Sequence, residues 1–249
     1  MGTDLTIEME DHDRKTLGLP GNQEQLVEAV VAANPQTIVV LMNAGPLIIP
    51  WIKDHTPAIL AAWWSGEEQG HAVADILFGD VNPSGRLPYT VYASEAQVPP
   101  QDEYDVSKGF TYMYLKGNPL FPFGFGLSYT TFGYSNFKLS QATAKDGDTI
   151  TATLDVANTG NRDGDEVVQI YVHEPAGKVI KPHERLVGFK RVTIKAGTDQ
   201  VVSIPVEVAR MRYWDDTVHA FRAELGTYEL KAGFNSADLP LTASFSVGL

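Results

Sequence analysis

Partway along this chain the apolar residues change period, and no single layer of secondary structure accommodates both patterns. From Gly21 to about Phe78 they fall at helical spacing or in short unbroken runs; from about residue 149 they alternate with polar ones. The first pattern suits helices covering a buried sheet, and the second suits strands with one face on a core. A length of 249 residues leaves room for both. The fold class is therefore α/β followed by all-β.

In the first half, Leu26, Val27, Val30, Val31 and Ala33 predict a helix over about 22–34. Asn22 and Gln25 have the form of a capping box, and Asn34-Pro35 ends the helix. The run 38–42 predicts a parallel strand covered on both faces. A short helix over 47–53 and a strand over 58–63 come next. Ser65 with Glu68 repeats the capping signature, opening a helix from about Glu67 to Leu77 that stops at Gly79. Alternating strands and helices imply a parallel sheet with right-handed crossovers.

Residues from about 81 to 136 are rich in proline and aromatics, and a connector that long is usually functional or a docking segment. The boundary is placed near Asn136: a partial α/β domain with its connector over 1–136, and a second domain over 137–249. In the second domain Ile150, Ala152, Leu154 and Val156 alternate with polar residues, as do Val168, Ile170 and Val172. About seven short strands separated by turn signals read as a β-sandwich.

Charge and composition narrow the function. Nineteen Lys and Arg against 31 Asp and Glu give a net charge of −12, which argues against nucleic-acid partners. No apolar run reaches about 18 residues, so no membrane span is expected. The first residues lack the basic start and apolar core of a signal peptide, and the compartment stays open, periplasmic, extracellular or cytoplasmic. Without cysteine there is no disulfide, thiolate metal site or cysteine nucleophile. The histidines form no H-x-H or H-x-x-x-H pair, so neither metal nor other cofactor is called for. Ser65 lies in no G-x-S-x-G elbow. Phe123-Gly124-Phe125-Gly126 follows no strand and completes no nucleotide fingerprint.

Ligands in open parallel sheets bind outside the carboxyl ends of the strands. That rule nominates Asn43-Ala44-Gly45, the stretch from Trp64 to Glu68, and the stretch from Glu8 to Arg14. The last holds four carboxylates over six positions, at Glu8, Glu10, Asp11 and Asp13. Crowding and burial of such groups raise one pKa toward a general acid's, whereas a solvated turn balanced by Arg14 is the plainer alternative. For Trp63 and Trp64, at a strand end, a core or interface role is preferred to sugar stacking. For Tyr213, Trp214, Phe221 and Tyr228, strand-core packing is preferred to a sugar platform.

Several motifs then point to one family. Glu10-x-x-Asp13-Arg14, Leu19-Pro20-Gly21-x-Gln23 and Ala33-Asn34-Pro35 resemble segments of family 3 glycoside hydrolases. So do the runs 75–88 and 121–129, while 166–172 and 186–192 resemble the family's C-terminal fibronectin type III-like domain, an immunoglobulin-like β-sandwich. The resemblance implies a retaining β-glycosidase acting on β-linked glucose or xylose, in oligosaccharides or in aryl or alkyl glycosides. An aspartate nucleophile would lie on a (β/α)₈ barrel that this sequence lacks, leaving a partial parallel-sheet α/β sandwich. The family's acid/base glutamate maps onto Glu10, with Glu8 in reserve because loop length varies. Asp11 stands where many relatives have glycine, and Lys108 to Tyr114 departs from the usual run there. The expectation is a chain inactive by itself, which associates with the missing barrel half or another copy of itself. A non-catalytic structural or carbohydrate-binding module is the alternative, and nucleotide binding a weaker one.

Overall fold

A computed structural model describes residues 1–248 and divides the chain into two compact units. One comprises Met1–Val81, Val91–Pro100 and Gly117–Phe121; the other comprises Asn82–Thr90, Gln101–Lys116 and the described residues from Pro122 onward. The connector is thus divided between them.

The first unit is built from helix α1 (Gln23–Ala33), strand β1 (Ile38–Leu41), helix α2 (Pro50–His55), strand β2 (Ala58–Ala61) and helix α3 (Gln69–Phe78). β1 and β2 are parallel, with Ile38 opposite Ala58 and Leu41 opposite Ala61. Residues 1–3 run parallel along the other edge of β1: Met42 N donates to Met1 O at 2.8 Å and Thr3 N to Met42 O at 3.0 Å. Pro50 opens α2 where its missing N–H costs nothing. Gly79, at φ 82°, ends α3 in the left-handed cap expected of it.

Neither capping signature is used as a cap. Asn22 and Glu68 precede α1 and α3 without a side-chain cap bond. Gln23, the first residue of α1, exchanges two hydrogen bonds with the backbone of Gly2, at 2.6 and 2.8 Å. Ser65 donates to Ala62 O, and Glu68 pairs with His71. β1 is also not covered on both faces. Val39 and Leu41 are buried, but Ile38 is half exposed. Helix α3 buries none of its residues, and Phe78 is 85% exposed.

The second unit is a β-sandwich. One sheet has the order β4 (Thr143–Ala144), β12 (Leu241–Val247), β11 (Gly226–Gly233), β6 (Gly164–His173), β7 (Arg185–Ile194). The other has the order β3 (Phe132–Leu139), β5 (Thr149–Asn158), β8 (Asp199–Glu207). Ile150, Ala152, Leu154 and Val156 of β5 are fully buried, as are Val168, Ile170 and Val172 of β6. The period-two signal is therefore the core itself. β3 is bulged between Ser135 and Lys138, with Asn136 at φ 55°. Strands β9 (Tyr213–Asp215) and β10 (Ala220–Arg222) form a separate ribbon.

Within this unit the connector's polar residues are docking groups. Asn82 donates to Asp163 O at 2.9 Å and accepts from Ser128 and Tyr129. Arg86 forms a buried ion pair with Glu166 of β6 at 2.8 Å. Tyr112, on the short helix α4 (Thr111–Tyr114), stacks on Phe123 and meets the edge of Tyr171. Its hydroxyl accepts from Leu186 N at 3.0 Å.

Candidate functional site

Because residues 1–3, β1 and β2 run parallel, their carboxyl ends lie side by side. The three loops that leave them, 4–14, 42–49 and 62–68, are those that the strand-end rule nominates. The first begins with a turn in which Asp4 accepts from the amide and hydroxyl of Thr6, at 2.8 and 2.6 Å, while Glu8 N donates to Asp4 O. This reversal brings Glu8 back over Thr3.

Glu8 is then surrounded by donors. The Thr3 hydroxyl and the amides of Ala44 and Gly45, each at 3.1 Å, donate to Oε1. Arg14 Nε lies 2.7 Å from Oε2. The two side chains are only 12% and 8% exposed, and Arg14 Nη2 donates to Pro46 O at 2.7 Å. Burial alone would raise the Glu8 pKa. The Thr3 hydroxyl, the Gly45 and Ala44 amides and the Arg14 charge outweigh it and hold the carboxyl below its ordinary value. Two buried polar atoms at this frame have no partner among the described residues, Arg14 Nη1 and Asn43 Oδ1.

Glu10 sits in the opposite environment. Met9 and His12 exchange both backbone hydrogen bonds, at 3.2 and 3.0 Å, so Glu10-Asp11 forms the two-residue tip of a tight reversal. Asp11 holds the left-handed position at φ 64°, which Asp tolerates better than most residues. Glu10 is exposed, and its carboxylate has no partner among the described residues. The four-carboxylate cluster thus resolves into one half-buried group pushed down in pKa and three exposed ones. Its one arginine is committed to Glu8.

The third loop joins the same frame. Trp64 Nε1 donates to Thr3 O at 3.2 Å, and Gln69 Nε2 to Trp63 O at 2.9 Å. Trp63 holds a left-handed backbone at φ 57°, a conformation costing on the order of 1–3 kcal/mol for a bulky residue. Trp64 is partly exposed at the strand end.

Sequence reasoning nominates the Asn43-Ala44-Gly45 loop but misses Thr3 and the role of the Ala44 and Gly45 amides as donors to Glu8. Thr3 carries no signal. Gly45 carries one only in space, since a Cβ there would stand 2.8 Å from Glu8 Oε2 and 3.0 Å from Arg14 Nη2. In the sandwich, Tyr228 is core, stacked on Phe245. For Trp214 and Phe221 the core-packing expectation is corrected. They form an exposed cross-strand pair, ring centroids 5.1 Å apart, on the ribbon outside both sheets.

Comparison with known proteins matches residues 1–129 to the family described as "Glycosyl hydrolase family 3 C-terminal domain". Residues 166–236 match a "Fibronectin type III-like domain". A beta-glucosidase of Rhizobium radiobacter is 36% identical over 98% of this chain and 32% of its own length. A beta-xylosidase of Formosa agariphila is 39% identical over 96% of this chain and 34% of its own. The crystal structure of a beta-D-glucoside glucohydrolase from Trichoderma reesei superposes with a TM-score of 0.89 at 30% identity, over 95% of this chain and 37% of that one. The chain spans about a third of the length of these relatives, within their C-terminal part. With its first half matched across the strand-end loops and the sandwich matched behind it, this chain belongs to glycosyl hydrolase family 3.

Proposed function

We propose that this chain is the acid/base-bearing portion of a retaining β-glycosidase for terminal β-linked glucose or xylose. Glu10 is the general acid/base, and the aspartate nucleophile is supplied by a (β/α)₈ barrel outside this sequence. In this reading residues 1–136 carry the acid and residues 137–249 are the fibronectin type III-like domain. The observation that carries it is the contrast between two neighbouring carboxylates. Glu8 is saturated by four donors, whereas Glu10 stands unpaired on a turn tip at a strand end. A proton donor needs a free carboxyl within hydrogen-bond reach of the leaving oxygen, and Glu10 meets the first condition as Glu8 does not. The beta-glucosidase and beta-xylosidase relatives support the sugar class.

As the nucleophile attacks the anomeric carbon, the C–O bond to the leaving group breaks and Glu10 delivers its proton to that oxygen. The resulting carboxylate then takes a proton from the water that releases the glycosyl-enzyme. The two carboxyls stand roughly 5–5.5 Å apart in such sites. The test uses the enzyme completed with its barrel. Glu10→Gln should lower turnover of an unactivated β-glucoside by about 10²–10⁴-fold. Azide should restore part of the rate on an activated aryl glycoside. A Glu10→Gln enzyme of normal activity refutes the assignment.

A further inference from the structure

We infer that Glu8 is a positioning residue, whose carboxylate ties the loop bearing Glu10 to the loop leaving β1 and so fixes where Glu10 is presented. The inference rests on the reading of Glu10 given above. Three otherwise independent segments meet on this one group: Thr3 at the end of the first strand, Ala44 and Gly45 after β1, and Arg14 beyond the Glu10 turn. Arg14 extends the tie to Pro46. Glu8 and Arg14 stand on either side of the 9–12 reversal, so the ion pair closes the base of the turn whose tip is Glu10-Asp11. The tip itself has no side-chain anchor at Glu10, so its placement is inherited from that base.

The fit at the base is close. Gly45 presents its amide to Glu8 Oε1, and a methyl group at that residue would press on both Glu8 Oε2 and Arg14 Nη2. A carboxylate accepts from all four donors at once. An amide in its place would turn an NH₂ toward either the arginine or the backbone N–H groups. Displacing a catalytic group by about 1 Å costs on the order of 10²-fold in rate.

Loss of position and loss of fold are separated by the leaving group. An enzyme with a misplaced acid still cleaves a glycoside whose leaving group needs no proton, whereas an unfolded fraction lowers all rates alike. The experiment takes the barrel-completed enzyme with Glu8→Gln, Gly45→Ala and Glu10→Gln, each assayed on 2,4-dinitrophenyl and on methyl β-glucoside. For Glu8→Gln and Gly45→Ala, kcat/KM on the methyl glucoside should fall by about 100-fold while kcat/KM on the dinitrophenyl glucoside, which reports only the first step, stays within about threefold. Equal losses on both substrates, or no loss, overturn the inference. If Glu8→Gln fails to fold, the Gly45→Ala ratio decides alone. Should Glu10→Gln show no dependence on leaving group while Glu8→Gln does, the Glu10 assignment and the positioning role both fail and Glu8 is the acid.

Discussion

At the residue scale, the molecule shows how little a side chain's identity says before its partners are known. Glu8 and Glu10 are two positions apart with the same functional group, yet one is locked and the other free. Gly124 makes the same point by having no side chain at all. At φ 81° it lies against the buried amide of Gln169, which donates to Gly124 O at 3.0 Å and Phe234 O at 2.7 Å while accepting from Tyr171. A Cβ at this position would overlap the Gln169 side chain. Gly124→Ala therefore combines an unfavourable backbone with broken buried hydrogen bonds, a loss of about 2–4 kcal/mol. Urea unfolding followed by the far-ultraviolet circular dichroism of the β-sheets reads it. A loss near zero would mean that the glutamine has another place to go.

At the scale of elements, what was legible depended on whether the signal was local. The sandwich strands were readable because each buried face is written every second residue, as in Ile150, Ala152, Leu154 and Val156. Helices α1 and α3 were readable from spacing, and the end of α3 from Gly79. The caps are not legible in the same way: Ser65 turns back to Ala62 O and Glu68 pairs with His71, so residues of capping type are spent elsewhere. The strand-end rule and the motif both reach the turn carrying Glu10, and the rule reaches the Gly45 loop, whereas Thr3 becomes visible only once residues 1–3 are seen beside β1.

That loop base also has a pH dependence of definite sign. The donors around Glu8 hold its folded pKa below the ordinary carboxylate value, so the unfolded state binds the proton at higher pH than the folded one. The contribution of Glu8 is complete above the ordinary glutamate range, roughly pH 4–5. It is lost as pH falls through the lowered folded value. Amide exchange at Ala44 and Gly45, corrected for its intrinsic pH dependence, should accelerate on acidification through that window. In Glu8→Gln the extra acceleration should be absent. The same acceleration in both proteins would assign it to another group, with Asp4 the next candidate because hydrogen bonds from Thr6 also depress its pKa.

At the scale of the whole molecule, the two units differ in how completely they bury what they are made of. The sandwich encloses its apolar alternation between two sheets. In the first unit α3 buries no residue, β2 pairs on one edge only among the described residues, and Leu26, Val30, Ile38 and Phe78 remain exposed. Exposed strand edges and apolar surface of this kind are template and driving force for association. Double displacement likewise needs two carboxyls on opposite sides of one anomeric carbon, and the proposed reading gives this chain one of them. The purified 249-residue chain should therefore hydrolyse neither aryl β-glucoside nor aryl β-xyloside, and at tens of micromolar it should sediment as associated species. Adding the barrel portion of a relative should compete with that self-association and restore turnover sensitive to Glu10→Gln. Brisk cleavage by the isolated chain would place a second acid within these residues and overturn the division of labour proposed for Glu10. A clean monomer would show that the exposed apolar residues of the first unit do not drive association.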